Sequence, residues 1–307
     1  MSNSFSPQYS VPTIRLEFSI QLNYEVEQSD SDFIFSIHAA KTDYQILCNE
    51  YLNTNQNIDL IMYENPETYT RLLRLKAMPG ALRLNYGGIV DLNHFSAPPN
   101  QIHEPPVADL PGSVISYLYP SRYCQSDSMR DIAIKQFGGL DHGYGRIQAI
   151  CNWVCNHVRF QANSSTAHTT AIDTYLSKAG VCRDYAHLMI ALCGALSIPA
   201  RFVTGIDYGS DPILGPTDFH AYVEVYLDGR WYIFDPSGVA IPMGFLRICT
   251  GHDAADTAIT SIFGAVLGSA PIISIRAIPN SSGRLELPMH ITNGLSSDLD
   301  YRELANR

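Results

Sequence analysis

The chain has 307 residues, 46% hydrophobic and 16% charged, a balance that excludes a disordered protein and leaves room for two domains with substantial cores. A formal net charge of −10 speaks against nucleic acid as a partner and offers no basic patch for a membrane surface. Seven cysteines, an odd count at irregular spacings, read as reduced thiols rather than a disulfide framework.

From the N-terminus, Met1 to Tyr9 is polar and lacks the basic and apolar stretches of a secretory leader, so a cytoplasmic protein is expected. Residues Thr13 to Tyr24 then alternate (Ile14, Leu16, Phe18, Ile20, Leu22, Tyr24), the period of a half-buried strand. Phe33–His38 repeats that pattern. Further strands are predicted at Tyr44–Cys48, Asn57–Tyr63, Thr68–Ala77 and Ala81–Leu92. Short strands separated by turn residues predict an antiparallel β-sandwich over residues 1–96. Ala97-Pro98-Pro99 through Pro105-Pro106 and Pro111-Gly112 predicts an extended Pro-rich connector over 97–124. Helices follow at about Ser128–Phe137, Gly145–His157 and Thr170–Ser177, then a longer one from Cys182 to about Ser197 that Pro199 stops. Two strands, 220–227 and 230–235, flank Asp228-Gly229, the strongest short hairpin signal in the chain. Strands, helices, then a hairpin make an α+β core, so residues 125–307 are expected to form one catalytic domain. No apolar run reaches the roughly 18 residues of a membrane span; Ala258 to Ile275 comes nearest and is broken by Thr, Ser and Gly.

The chemistry concentrates in three residues. Cys182 follows Gly180 at the start of an apolar helix, where unpaired N–H groups and the positive end of the helix favour a thiolate. Alone it reads more readily as a buried structural thiol. The hairpin adds the base. A two-residue turn pairs Leu227 with Arg230, which sets Asp235 opposite Tyr222 and makes His220 its diagonal neighbour on the same face. Such neighbours lie roughly 7–8 Å apart at the backbone, within reach of an imidazole and a carboxylate. A three-residue turn would throw Asp235 to the other face. A thiol needs a base, and the base needs a partner to fix its tautomer, so Cys182, His220 and Asp235 form a candidate triad.

Gly180-Val181-Cys182-Arg183-Asp184-Tyr185-Ala186-His187-Leu188, Ile198-Pro199-Ala200-Arg201-Phe202-Val203-Thr204-Gly205, the strand opened by His220, and Trp231-Tyr232-Ile233-Phe234-Asp235-Pro236 together resemble the core of the bacterial transglutaminase-like superfamily. Its members include proteins described as transglutaminase-like cysteine proteases. Thr250-Gly251-His252-Asp253-Ala254-Ala255-Asp256 is similar to a stretch that follows the aspartate in many members, with His252 where Arg is more usual. The resemblance covers residues 125–260. It extends over 10–95 only as the general pattern of the family's preceding β-sandwich. It implies a papain-like logic, with Cys182 as nucleophile, His220 as general base and acid, and Asp235 orienting the imidazole. It implies attack on an amide bond, a thioester acyl-enzyme, a protein or peptide substrate, and neither cofactor nor metal.

The Cys182 N–H is the natural first donor to the oxyanion, whereas His168 stands where animal transglutaminases place an indole, which puts the second donor in doubt. Water as acceptor, giving a peptidase, isopeptidase or amidase, is preferred to an amine, which would make a true transglutaminase. A non-catalytic peptide-binding scaffold is the reading from another class, and it predicts loss of a triad member. An acyltransferase using a nucleotide-bearing thioester would want a basic pocket, and Arg201, Arg230 and Arg247 are too scattered to argue for one. Cys151 and Cys155, four apart on a predicted helix, read as core rather than as half of a zinc site, and Trp153 reads as packing. Arg183 and Asp184 read either as part of the motif or as a capped first turn with a solvated pair. Nothing in the chain indicates an oligomeric state.

Overall fold

Alternation along the first strand is realised residue by residue. The computed structural model describes residues 11–28, 31–209 and 217–298, so the Met1–Tyr9 segment and the end of the polar tail lie outside the described residues. In β1 (Ile14–Val26), Ile14, Leu16, Phe18, Ile20 and Leu22 are buried while their neighbours are half-exposed. Each buried side chain of this size contributes about 1.5–3 kcal/mol. The chain continues through β2 (Ser31–Phe35), β3 (Gln45–Thr54), β4 (Ile61–Glu64), β5 (Arg71–Ala77), β6 (Gly80–Leu92) and β7 (Phe95–Ala97). β1 pairs antiparallel with β6 along its whole length, and β3 flanks β6. A second sheet holds β2, β5 and β4. The inner faces of the two sheets share one hydrophobic cluster, which makes the expected sandwich.

The connector is not simply extended. It carries 3-10 turns at Pro99–Gln101 and Val107–Asp109 and a single helical turn, α1 (Gly112–Ile115). Pro98, Pro106 and Pro111 each stand at the residue before such a turn, with ψ of 139°, 146° and 147°. A ring that fixes φ and lacks an N–H starts a turn as readily as it extends a linker.

Beyond it come α2 (Arg130–Phe137), α3 (Tyr144–His157), β8 (Arg159–Phe160), α4 (Ala171–Ser177), β9 (Ala179–Gly180) and α5 (Cys182–Ala195). Then follow β10 (Ala200–Asp207), β11 (Phe219–Leu227), β12 (Arg230–Phe234) and β13 (Phe245–Gly251). The last four form an antiparallel sheet in the order β12-β11-β10-β13. Its Ala221, Val223, Val225 and Leu227 pack under the helices, with α5 at the centre of that cluster. Ile206, Leu246 and Ile248 join the sandwich cluster instead. The sheet is thus a middle layer between helices and sandwich, an α+β arrangement.

Assigning 125–307 to one catalytic domain does not describe the strand pairing. β14 (Thr260–Phe263) pairs with β2, and both β15 (Val266–Gly268) and β16 (Ile272–Ala277) pair with β1. The chain therefore returns to the sandwich after the core, because β1 offers an open edge that only these later strands fill. A last strand, β17 (Gly294–Ser296), pairs with β7. Arg201 and Arg247, far apart in sequence, also meet: both are fully buried and ion-paired to Glu224 and to Asp298 beyond β17. Both guanidiniums are buried against carboxylates, so they line no open basic pocket. No helix among the described residues is long and apolar enough to cross a membrane.

Candidate active site

Val181 has extended backbone and α5 begins at the next residue, so Cys182 occupies the first helical position, half-buried. Asp184, two residues on, is fully buried and accepts a hydrogen bond from the Val181 N–H at 2.8 Å. Its other oxygen accepts from the Ser165 hydroxyl at 2.8 Å, and the Arg183 guanidinium donates to Ser165 at 2.7 Å. Of the two readings of Arg183 and Asp184, the capped first turn is present but the pair is not solvated: Asp184 is buried as the cap of the nucleophile helix and a tie to the 161–169 loop. The parallel β8–β9 ladder, Phe160 opposite Gly180, lays that loop alongside the first turn. His168 within it is exposed, with a local bond from its N–H to the Thr166 hydroxyl.

The hairpin register is the expected one, Leu227 with Arg230 through Val223 with Phe234. Asp228 and Gly229 both have positive φ, 44° and 85°, as a type I′ turn demands. His220 Nε2 lies 3.3 Å from Asp235 Oδ1. The Asp235 carboxyl is itself fixed. Its Oδ1 accepts the Ser237 hydroxyl at 2.6 Å and the Ser237 N–H at 3.0 Å, and its Oδ2 accepts the Ala240 N–H at 2.9 Å. Burial alone would raise this carboxyl, but His220, the Ser237 hydroxyl and the Ala240 N–H hold it below the ordinary carboxylate value.

The imidazole shows the opposite balance. Burial disfavours its charged form, yet Asp207, Asp235 and the Cys182 thiol, which lies within hydrogen-bonding reach, push it well above the usual histidine value. The three expected residues therefore meet. An imidazole that stays protonated beside a half-buried thiol is the arrangement that stabilises a thiolate–imidazolium pair.

Sequence reasoning did not pick out Asp207, Tyr222 and Ser237. Asp207 Oδ2 lies 3.8 Å from His220 Nδ1, and Tyr222 donates its hydroxyl to Asp207 Oδ1 at 2.6 Å. Ser237 stands two residues past Asp235, where a hydroxyl in the sequence Asp-Pro-Ser is a readable turn signal. Cys151 and Cys155 of α3 hold the same loop from behind, contacting the Asp235 and Ser237 carbonyls at 3.4 and 3.7 Å. Cys155 is half-buried and, with Asp235, lines a cavity of about 290 Å³. Burial pushes both thiols up, so each stays protonated as a donor.

His187 is fully buried, stacks on Tyr123 and accepts the Ala254 N–H through Nε2 at 3.1 Å. Burial, then Arg183, pulls it down to about 3, a neutral structural imidazole. The 250–256 segment thereby locks β13 to α5. Asp253 adds bonds from the Ser121 hydroxyl at 2.6 Å and the Tyr123 N–H at 2.9 Å. His252 stacks on Tyr117 and pairs with Asp256 at 2.7 Å. Among the described residues no group of three or more His, Cys, Asp or Glu is placed to hold a metal ion.

Comparison with known proteins follows the same outline. Residues 130–236 match the model of the transglutaminase-like superfamily core, and residues 14–113 match that of the bacterial transglutaminase N-terminal domain. A crystal structure from Cytophaga hutchinsonii, provisionally described as a cysteine protease, is 35% identical with a TM-score of 0.85. The match covers 94% of this chain and 99% of that one. An uncharacterized protein of Mycobacterium leprae is 26% identical over 117 residues, 36% of this chain and 42% of its own length. One of Mycobacterium tuberculosis is 26% identical over 164 residues, 48% of this chain and 52% of its own. The chain thus spans about half the length of the curated relatives it matches. With the near full-length likeness to the Cytophaga protein and both family models on their expected segments, the chain belongs to the bacterial branch of the transglutaminase-like superfamily.

Proposed function

We propose that the protein is a Cys-His-Asp thiol enzyme that cleaves amide bonds through a thioester, with water as acceptor and a protein or peptide as substrate. The observation that carries this reading is His220, its Nε2 3.3 Å from Asp235 Oδ1 and its imidazolium favoured by that carboxylate and by Cys182 at a helix start. The Cys182 thiolate attacks the amide carbonyl, forming a C–S bond while the carbonyl π electrons move to oxygen. The Cys182 N–H is offered to that oxyanion. Collapse breaks the C–N bond, and His220 gives its proton to the leaving amine. Neutral His220 then takes a proton from water, hydroxide adds to the thioester, and the carboxylic acid departs as the C–S bond breaks and the thiolate–imidazolium pair returns. Asp235 keeps Nε2–H directed at itself and so aims Nδ1 at the reaction.

Alkylation by iodoacetamide between pH 4 and 9, read by intact mass, tests the nucleophile. One thiol should react fast below pH 7, vanish in Cys182→Ala and slow in His220→Ala. A Cys182 that reacts no faster than an ordinary thiol of pKa about 8.5 would bring forward the non-catalytic peptide-binding reading. Acceptor choice is tested separately by the ammonia released from a glutamine peptide. Release that continues without added amine supports hydrolysis, whereas release only in the presence of a primary amine supports a transglutaminase.

A further inference from the structure

We infer that Asp207 is a second carboxylate brace for the catalytic histidine, an ion-pair partner beside Nδ1 of His220 from β10, too distant to take that atom's hydrogen bond from the reaction, while Asp235 holds Nε2 from the loop beyond β12. The inference rests on the thiol-enzyme reading above and adds a positioning residue to it.

The strand register carries the argument. Gly205 lies opposite His220 across the β10–β11 ladder, and Ile206 lies opposite Phe219. Asp207 is therefore the diagonal neighbour of His220 on one side, in the same relation that Asp235 holds on the other, where Phe234 lies opposite Val223. One imidazole sits between two carboxylates supplied by the two strands that flank it. The distances agree: Nδ1 to Asp207 Oδ2 is 3.8 Å and Nε2 to Asp235 Oδ1 is 3.3 Å. Asp207 is not a surface acid in passing, being only 2% exposed and held at Oδ1 by the Tyr222 hydroxyl at 2.6 Å. Tyr222 also meets the imidazole edge-on, with ring centroids 4.9 Å apart. A buried carboxylate costs free energy unless a cation or donors compensate it, and the imidazolium is the cation it faces.

The groups that face His220 are thus Asp207 from β10, Tyr222 on its own strand, Asp235 and Ser237 from the loop after β12, and Cys182 from α5. Asp207 favours the imidazolium, so its charge moves the loss of the His220 proton toward higher pH. A residue with only a structural role would change rates at every pH and leave that step where it is.

The test is alkylation of Cys182 by iodoacetate, whose negative charge is drawn in by the imidazolium, so that its rate rises as the thiolate forms and falls as His220 loses its proton. In Asp207→Asn, shape is kept and charge removed. The falling limb should move down by about 1–2 pH units, while iodoacetamide, being neutral, lacks the falling limb in both proteins. A falling limb that stays at the wild-type pH overturns the brace. If wild-type Cys182 shows no selective alkylation, the thiol-enzyme reading fails and the brace falls with it. A selective Cys182 indifferent to Asp207→Asn sinks the brace alone. Should Asp207→Asn not fold, ring 15N shifts of His220 in Asp235→Asn combined with Cys182→Ala, which removes the other two groups favouring the imidazolium, decide. An imidazole still protonated above the ordinary value of about 6.5 supports the brace, and one titrating at or below it overturns the brace.

Discussion

Ser237 donates its hydroxyl to the same Asp235 oxygen that faces His220, so this hydroxyl, with the Ser237 and Ala240 N–H groups, fixes which way the carboxylate points. A hydrogen bond to a charged group of this kind is worth about 1.5–3 kcal/mol. Ser237→Ala should therefore slow amide cleavage about tenfold or more while the fold, followed by circular dichroism, is kept; an unchanged rate would mean that the loop N–H groups suffice. Cys182, His220 and Asp235 were legible in the sequence because each sits beside a short-range signal: a glycine before a helix, a strand start, a coded turn. Asp207 was not, although its geometry mirrors that of Asp235. β10 and β11 are separated by the eleven residues 208–218, too many for a short-turn code to set their register. Asp184 was visible as part of a motif, but its burial depends on the 161–169 loop folding over it.

At the scale of elements, the hairpin is the part most firmly written in the chain. Inserting one glycine between Asp228 and Gly229 would shift the register by one and turn Asp235 away from His220. The expected result is loss of fast Cys182 alkylation with helix content unchanged; retained alkylation would show that the turn does not set the site. Gly205 makes a complementary case. A methyl group there would meet the Leu246 carbonyl oxygen at 2.1 Å and the Phe245 ring at 2.2 Å, directly across the ladder from His220. Gly205→Ala should cost about 1–3 kcal/mol in urea unfolding and lower the alkylation rate as well. The sandwich strands were readable by alternation, β1 above all. The turns of the Pro-rich segment were not, because proline serves equally before a turn and within an extended linker. β14 to β16 pair with strands more than two hundred residues away, and no local pattern encodes such a partner.

Across the whole molecule, two buried guanidiniums and two buried carboxylates tie the chain's end to its middle. Asp298→Ala would remove one of the two carboxylates that Arg201 and Arg247 share. Breaking a buried set in this way costs about 3–5 kcal/mol, to be read from the urea midpoint, and a loss under about 1 kcal/mol would mean water reaches the cluster. Acid sensitivity is also a property of the whole fold. Burial holds His187 near about 3, and His38 and His94 near about 4. These folded values lie below the unfolded one, so between pH 6.5 and 4 the unfolded chain binds the extra protons. Stability from these imidazoles is complete above that window and lost through it at about 1.4 kcal/mol per pH unit for each ring. His220 has the opposite sign. Its contribution is constant below its ordinary value and lost only as pH rises through its raised one. Thermal midpoints should therefore fall steadily from pH 6.5 to 4, before most carboxylates titrate; a flat profile there would contradict the buried neutral rings.

The late return of β15 and β16 to β1 bears on how the protein is made. Synthesis is vectorial, and β1 leaves the ribosome while its outer neighbours, more than two hundred residues later in the chain, are not yet translated. Until residue 277 emerges, β1 carries an unsealed edge, rich in alternating Ile, Leu and Phe, through the whole production of the catalytic core. Nascent chains stalled before β14 should accordingly depend on chaperones. The core can mature early, but the sandwich beneath it closes last.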